Sequence, residues 1–424
     1  MRQPHIVTAL ASIALLGLAA CTPPAPETDA VIYEGARLIV GDGSAPIENA
    51  VFVVEDGRFT LVGPAAAVQT PEGGTRVDLT GMTVMPTIVD THIHPNAERD
   101  ALIQDLKLRP VYGVSAVMSL GRDAEAEQMA LRNEEIPGAA RFRSAGRGIT
   151  APEPGRTEIP HWVTTEEEAR AAVREEAARQ VDIIKLWVDD RGGQFKKLTP
   201  DLYGAAIDEA HKAGLRTTAH LFTLVDAKGL LNAGMDAFAH GVRDVDVDDE
   251  IVEMFKQRPD FVLVPNLPDR GVATDMSWLS STLPAAEVAE LQAAAVDNPE
   301  AQTAFGIQAR NLARLSDEGV TIALGSDGND PWAAHVEMED MVAAGMTPAE
   351  VITAATKNGA DFLRLTDAGT ISNGKRADFL VLEANPLDDI TNTRRISAVY
   401  LQGEEVERTG ASAEQVANLA PRED

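Results

Sequence analysis

Four histidines, a lysine and an aspartate are spaced so that a folded chain could gather them around metal. His92 and His94 flank Ile93 just beyond the apolar run Val84 to Asp90. Side chains alternate along a strand, so both imidazoles face the same way while Ile93 packs outward. Two imidazoles on one face can chelate one divalent ion. Lys185, His220, His240 and Asp327 sit at the ends of four further apolar runs: Asp182 to Trp187, Thr217 to His220, Phe238 to Gly241 and Ala323 to Asp327. Taken singly, each has a plainer reading: a packed imidazole, a surface lysine, a turn histidine before Gly241, a helix N-cap at Asp327. Taken together, each at the end of a different strand, they point to a metal centre.

The elements that must position these groups follow from periodicity. Strand candidates are Thr83 to Val89, Val114 to Leu120, Ala140 to Ala145, Val181 to Val188, Leu215 to Ala219, Ala237 to Ala239, Phe261 to Pro265 and Val320 to Leu324. Helical stretches lie between them: Glu166 to Arg179, Asp201 to Ala213 after Thr199 and Pro200, and Pro348 to Leu365 opened by the capping box Thr347-Pro348-Ala349-Glu350. This alternation predicts an α/β (β/α)8 TIM barrel over residues 84–365, with long loops after strands three and seven. Function in such a barrel gathers at the C-terminal ends of the strands, where the candidate residues fall. Residues 31–83 and 366–410 read differently, as short β runs broken by Gly-Asp-Gly and Asp-Gly turns. They predict one small β-sandwich assembled from both chain ends.

Charge and composition narrow the function. The 424 residues carry 37 Lys+Arg against 66 Asp+Glu, a formal net charge of −29, which argues against binding nucleic acid. The single cysteine, Cys21, excludes an intramolecular disulfide framework and a cysteine-based zinc cluster, so histidines and carboxylates must do any metal binding. Arg2 and the apolar run Ile6 to Ala20 form a signal peptide over residues 1–20. Leu18-Ala19-Ala20-Cys21 resembles the lipobox of bacterial lipoproteins, which implies lipidation of Cys21, a stiff tether over 21–30, and an exported protein that is periplasmic or anchored in the outer membrane. The only membrane contact expected is that lipid anchor.

With HxH after strand one, Lys after four, His after five, His after six and Asp after eight, the chain resembles the amidohydrolase superfamily of metal-dependent hydrolases. Gly369-Thr370-Ile371-Ser372-Asn373-Gly374-Lys375-Arg376-Ala377-Asp378 is similar to the segment opening the second half of that family's β-domain. The resemblance implies two divalent ions, zinc first and manganese or cobalt as alternatives. His92, His94 and Asp327 would hold one, His220 and His240 the other, and Lys185 would bridge them as an N-carboxylated lysine. It implies a metal-bridging hydroxide as nucleophile, with Asp327 moving the proton to the leaving amine. The expected reaction is hydrolysis of an amide C–N bond in a small molecule: a dipeptide, an N-acyl amino acid or an aryl amide. Three alternatives stay open: a lactone or ester hydrolase, a one-metal deaminase, and a non-catalytic ligand-binding lipoprotein. Deaminases of this family typically carry Glu three residues after the strand-five histidine, where this chain has Thr223.

Other residues are assigned by position alone. Arg191 beyond strand four and Arg270 after strand seven are candidates to meet a substrate carboxylate, and His161 and His335 are candidate substrate contacts or supporting groups. Leu221 and Phe222, after the strand-five histidine, predict an apolar pocket. Assembly of identical copies is left open.

Overall fold

The computed structural model describes residues 29–408; the expected signal peptide, Cys21 and most of the expected tether lie outside the described residues. Eight parallel strands form the barrel: Ile88–Ile93, Val114–Ser119, Arg141–Ser144, Ile184–Trp187, Thr217–His220, Ala237–Ala239, Val262–Val264 and Thr321–Ile322. Apart from Arg141–Ser144, whose arginines are only part-buried, they are buried at nearly every position rather than at alternate ones, as expected of parallel strands covered on both faces. Hydrogen bonds from Asp182 N to Ser144 O (2.9 Å) and from Thr91 N to Leu324 O (2.9 Å) carry the ring across the third-to-fourth and eighth-to-first junctions.

Helices cover the outside. Glu166–Ala178 starts at Thr165, whose side chain accepts from Glu168 N in a full capping box. Pro200–Lys212 begins after Thr199, whose side chain makes no cap hydrogen bond. The expected helix from Pro348 is capped by Thr347 and Glu350, but its middle, Ala354–Asn358, widens into a π turn. The Ala354 carbonyl there accepts from Leu324 N (3.1 Å), fixing strand eight just ahead of Asp327. Among the described residues no helix is long and apolar enough to cross a membrane.

The run Thr83 to Val89, expected as one barrel strand, is two. Thr83–Pro86 pairs with Phe379–Leu382 and with Val31–Leu38 in a separate eight-stranded sheet, and only from Ile88 does the chain enter the barrel. Both stretches are apolar and strand-forming, so composition hides the break at Thr87. The separate sheet folds face to face as a sandwich. Tyr33 stacks on Phe52 (4.8 Å) and Phe379 on Tyr400 (4.5 Å), and the two pairs meet edge to face at 5.2 to 5.6 Å. One pair comes from each end of the chain.

His335, buried on the helix Ala333–Ala343, bonds structure rather than cavity: its Nε2 donates to the Tyr112 carbonyl (2.8 Å) and its Nδ1 lies 3.0 Å from the Thr393 hydroxyl.

Phe379→Ala should lower unfolding stability by about 3–5 kcal/mol in urea titrations, since it empties the centre of the sandwich. Burial pulls the His335 imidazole down to about 4 from its ordinary 6.5. The unfolded chain therefore binds the proton first, and stability is lost as pH falls from 6.5 towards 4, by about 3 kcal/mol. Wild type and His335→Gln, compared by denaturation at pH 7 and pH 4.5, should differ in this acid sensitivity, the variant losing less.

Candidate metal centre

At the C-terminal mouth of the barrel the predicted groups converge. His92 Nε2 and His94 Nε2 each lie 3.0 Å from Asp327 Oδ1 and 3.3 Å from one another, and His240 Nε2 is 3.4 Å from Asp327 Oδ2. The His220 ring lies 4.5 Å from that of His240, with its Nε2 at 3.3 Å from both Asp189 Oδ2 and Arg191 Nη1. Lys185 Nζ is buried with no hydrogen-bond partner. Burial pulls its ammonium down to about 7, against the pull of the Asp327 carboxylate and with a further push from Arg191. Thr218, its register neighbour on the next strand, also has a buried hydroxyl without a partner.

The local backbone is bent to make this possible. His240 (φ +97°) and Asp327 (φ +53°) take left-handed conformations that non-glycine residues rarely adopt, and such strain of about 1–3 kcal/mol each persists only where surrounding contacts enforce it. For Asp327 those contacts run through Asp90 and the His92 carbonyl. Asp90, buried in strand one, accepts from His92 N (3.2 Å) and Ser326 N (3.0 Å) through Oδ1, and from the Ser326 hydroxyl (2.6 Å) through Oδ2. Asp327 N in turn donates to the His92 carbonyl (2.8 Å).

Asn266, two residues past strand seven, orients His92. The Gly325 carbonyl can only accept, so the Asn266 amide nitrogen faces it (2.5 Å) and the amide oxygen faces His92 Nδ1 (2.9 Å). That oxygen requires a proton on Nδ1, which leaves the Nε2 lone pair pointing at Asp327 and His94. Gly325 is needed for this approach: a Cβ there would lie 2.8 Å from His92 Cβ and 3.0 Å from Asn266 Nδ2. Burial drives the His92, His220 and His240 imidazoles well below their ordinary range, while the surrounding histidines outweigh burial and keep Asp327 ionised. Neutral imidazoles and an ionised carboxylate are the forms in which both residue types donate lone pairs to a metal.

The mouth opens into a cavity of about 560 Å³. His94, Trp187, His220, Phe222, His240 and Asp327 line it, and so do Arg122, Arg156, Arg191 and Arg243. The apolar pocket expected from Leu221 and Phe222 is therefore a charged one: the Arg243 guanidinium covers the Phe222 ring at 3.7 Å. Arg191 does reach the cavity, bonded to Asp189 Oδ2 (2.9 Å) and Glu153 Oε1 (3.3 Å). Arg270 is outside the lining and pairs with Glu339 (2.7 Å) and Asp340 (3.3 Å). His161 turns to Glu176 (2.8 Å), while its loop contributes Glu153, Arg156, Thr157 and Pro160 to the wall. Sequence reading missed Asp90, Asn266 and Arg243. Asp90 shares the strand face of His92 two residues on, and that period was a usable signal. Asn266 closes strand seven, which the reading had left without a functional end group.

Known proteins share this architecture. An imidazolonepropionase of Salinispora arenicola is 27% identical over 389 residues, covering 81% of this chain and 88% of its own. Ochratoxinase of Aspergillus niger is 25% identical over 417 residues, covering 85% and 82%. An uncharacterised protein of Mycobacterium tuberculosis is 29% identical over 338 residues, covering 75% and 83%. Among solved structures, molinate hydrolase superposes with a TM-score of 0.71 at 22% identity over 90% of this chain and 95% of its own, a likeness of fold. Residues 109–406 match the amidohydrolase family, and with the barrel, the sandwich and the histidine cluster at the mouth, the chain belongs to that family.

Proposed function

We propose that the chain is a hydrolase of amide C–N bonds that depends on two divalent metal ions. The observation that carries this reading is the convergence of His92, His94, His240 and Asp327 beside a buried, partnerless Lys185. The donor set fits the metal: nitrogen and carboxylate ligands suit zinc, and Asn266 leaves the right nitrogen of His92 free. His92, His94 and Asp327 would hold one ion and His220 and His240 the other. Lys185 fits a carboxylated bridge, because its amine is held near neutrality and the buried Thr218 hydroxyl beside it in register lacks an acceptor that a carbamate would supply. When bound, the ions would polarise the scissile carbonyl and acidify the attacking water.

The chain's own groups do the rest. Asp327 is the base: its carboxylate is kept ionised and reaches the cavity, so it can accept the water's proton and return it to the leaving nitrogen. The loops after strands three, four and seven build much of the cavity wall. Thr223, at the position where a deaminase's acid would stand, accepts from Asp226 N as the cap of helix Leu224–Ala233, which favours hydrolysis over deamination. Export as a lipoprotein anchored at Cys21 belongs to the same proposal and rests on the leader alone.

Chelator should abolish hydrolysis across a panel of dipeptides, N-acyl amino acids, aryl amides and lactones, and zinc, manganese or cobalt should restore it at about two ions per chain. Lys185→Ala and Asp327→Asn should each lower kcat by about 10²- to 10⁴-fold. Wild-type rates in either variant, or undiminished activity after chelation, would overturn the reading. Asn266→Leu should weaken metal binding by about 10–100-fold in competition with a metallochromic dye, because His92 loses the acceptor that fixes its ring.

A further inference from the structure

We propose that Arg243 receives a carboxylate of the substrate, so that the favoured amides carry a free acid on the amine side of the scissile bond. The inference rests on the amide-hydrolase reading and adds a substrate class to it.

The cavity wall carries four arginines, and their commitments differ. Arg156 donates to Glu153 Oε2 (2.9 Å) and Arg191 to Glu153 Oε1 (3.3 Å), so one buried carboxylate ties both down, and Asp189 holds Arg191 a second time (2.9 Å). Arg243 is built otherwise. Among the described residues no carboxylate lies within ion-pairing distance of it, and its Nε is buried without a hydrogen-bond partner. Its one side-chain polar contact is Nη2 to His240 Nδ1 at 3.4 Å. A part-buried guanidinium whose Nε is shut away from water and which has no paired anion is disfavoured, and a substrate carboxylate accepted by its planar fork would offset that cost.

Its position is fixed rather than swinging. The guanidinium lies flat on Phe222 (3.7 Å), Phe222 meets the His220 and His240 rings edge-on (4.4 and 5.3 Å), and Arg243 N donates to the Phe222 carbonyl (2.9 Å). The loops after strands five and six thus form one wall that carries two metal-site histidines and one cation. A guanidinium keeps its charge at neutral pH even where it is part-buried. The acidic groups whose fields reach it are Asp327, Asp189 and Glu337. Asp327 is committed to the histidine cluster and Asp189 to Arg191, while the Glu337 carboxyl is turned to Leu267 N (3.2 Å). A carboxylate one carbon from the scissile nitrogen would reach this wall while the amide carbonyl lies over the cluster.

The test uses zinc-loaded full-length protein and matched triplets: N-acyl amino acids with aromatic or aliphatic acyl groups, their methyl esters at the acid, and their C-terminal amides. Wild type should favour the free acid over both neutral forms in kcat/KM by about 10²-fold, the range of a charge-assisted contact made by a part-buried guanidinium fork. Arg243→Met should erase that preference, mainly through KM, and Arg243→Lys should recover part of it. Circular dichroism and metal content of the variants guard against misfolding. Calorimetric titration with the free-acid amino acid product and with its amide reads the same contact without turnover. Equal hydrolysis of acids and neutral amides, unchanged by Arg243→Met, would overturn the inference and leave the amide-hydrolase reading standing. Arg243-dependent binding of acids with no hydrolysis of any amide would support the inference and overturn that reading. Neither binding nor preference would overturn it.

Discussion

The carboxylate of Asp90 joins the two ends of the barrel at the point where the chemistry collects. A buried carboxylate is tolerated only when its lone pairs are used, and three donors use them here: His92 N, Ser326 N and the Ser326 hydroxyl. The first strand and the turn after the eighth therefore move as one. Everything else at the mouth is registered to that junction. Gly325 leaves room for the Asn266 amide, the amide sets the proton on His92, and His92 presents its other nitrogen to Asp327. Because strand and turn lie more than two hundred residues apart in the chain, this geometry depends on the whole ring being closed.

Much of this was legible in the sequence because parallel barrel strands are buried on both faces and so appear as short apolar runs whose polar ends stand out. His92, His94, Lys185, His220, His240 and Asp327 were found that way, and the observed strands fall within a few residues of the expected ones. Legibility failed where the deciding partner was distant. Thr83–Pro86 and Ile88–Ile93 have the same strand-forming character, and pairing of the first with Val31–Leu38 and Phe379–Leu382 separates them. His161, Arg270 and His335 follow strands three, seven and eight as expected, but Glu176, Glu339 and Tyr112 draw their side chains elsewhere. Arg243 precedes the acidic run Asp244 to Glu250, where it reads as part of a solvated helix start; the Phe222 ring that claims it lies on another loop.

The cavity also separates local charge from global charge. A chain with a net charge of −29 lines its mouth with four arginines and only a few carboxylates. The acidic surplus belongs to the exterior, where exposed Asp and Glu pair with surface Lys and Arg, as in Arg174 with Glu167 and Lys228 with Glu250. Net charge thus bears on solubility and on macromolecular partners, while the charges that discriminate among small ligands are set by a few loop residues.

The composite sandwich has a consequence for how the molecule is made. Its first strands emerge early in synthesis and its last, Ile396–Leu401 and Glu404–Glu405, near the end. Thr83–Pro86 runs directly into the strand that bears His92, yet half of its pairing waits for Phe379–Leu382. A nascent chain that already holds every residue of the candidate metal centre still lacks the strand that braces the start of its barrel. Productive assembly is thereby deferred until the C-terminal segment arrives, so an incomplete chain has the residues for metal but not the frame that aims them.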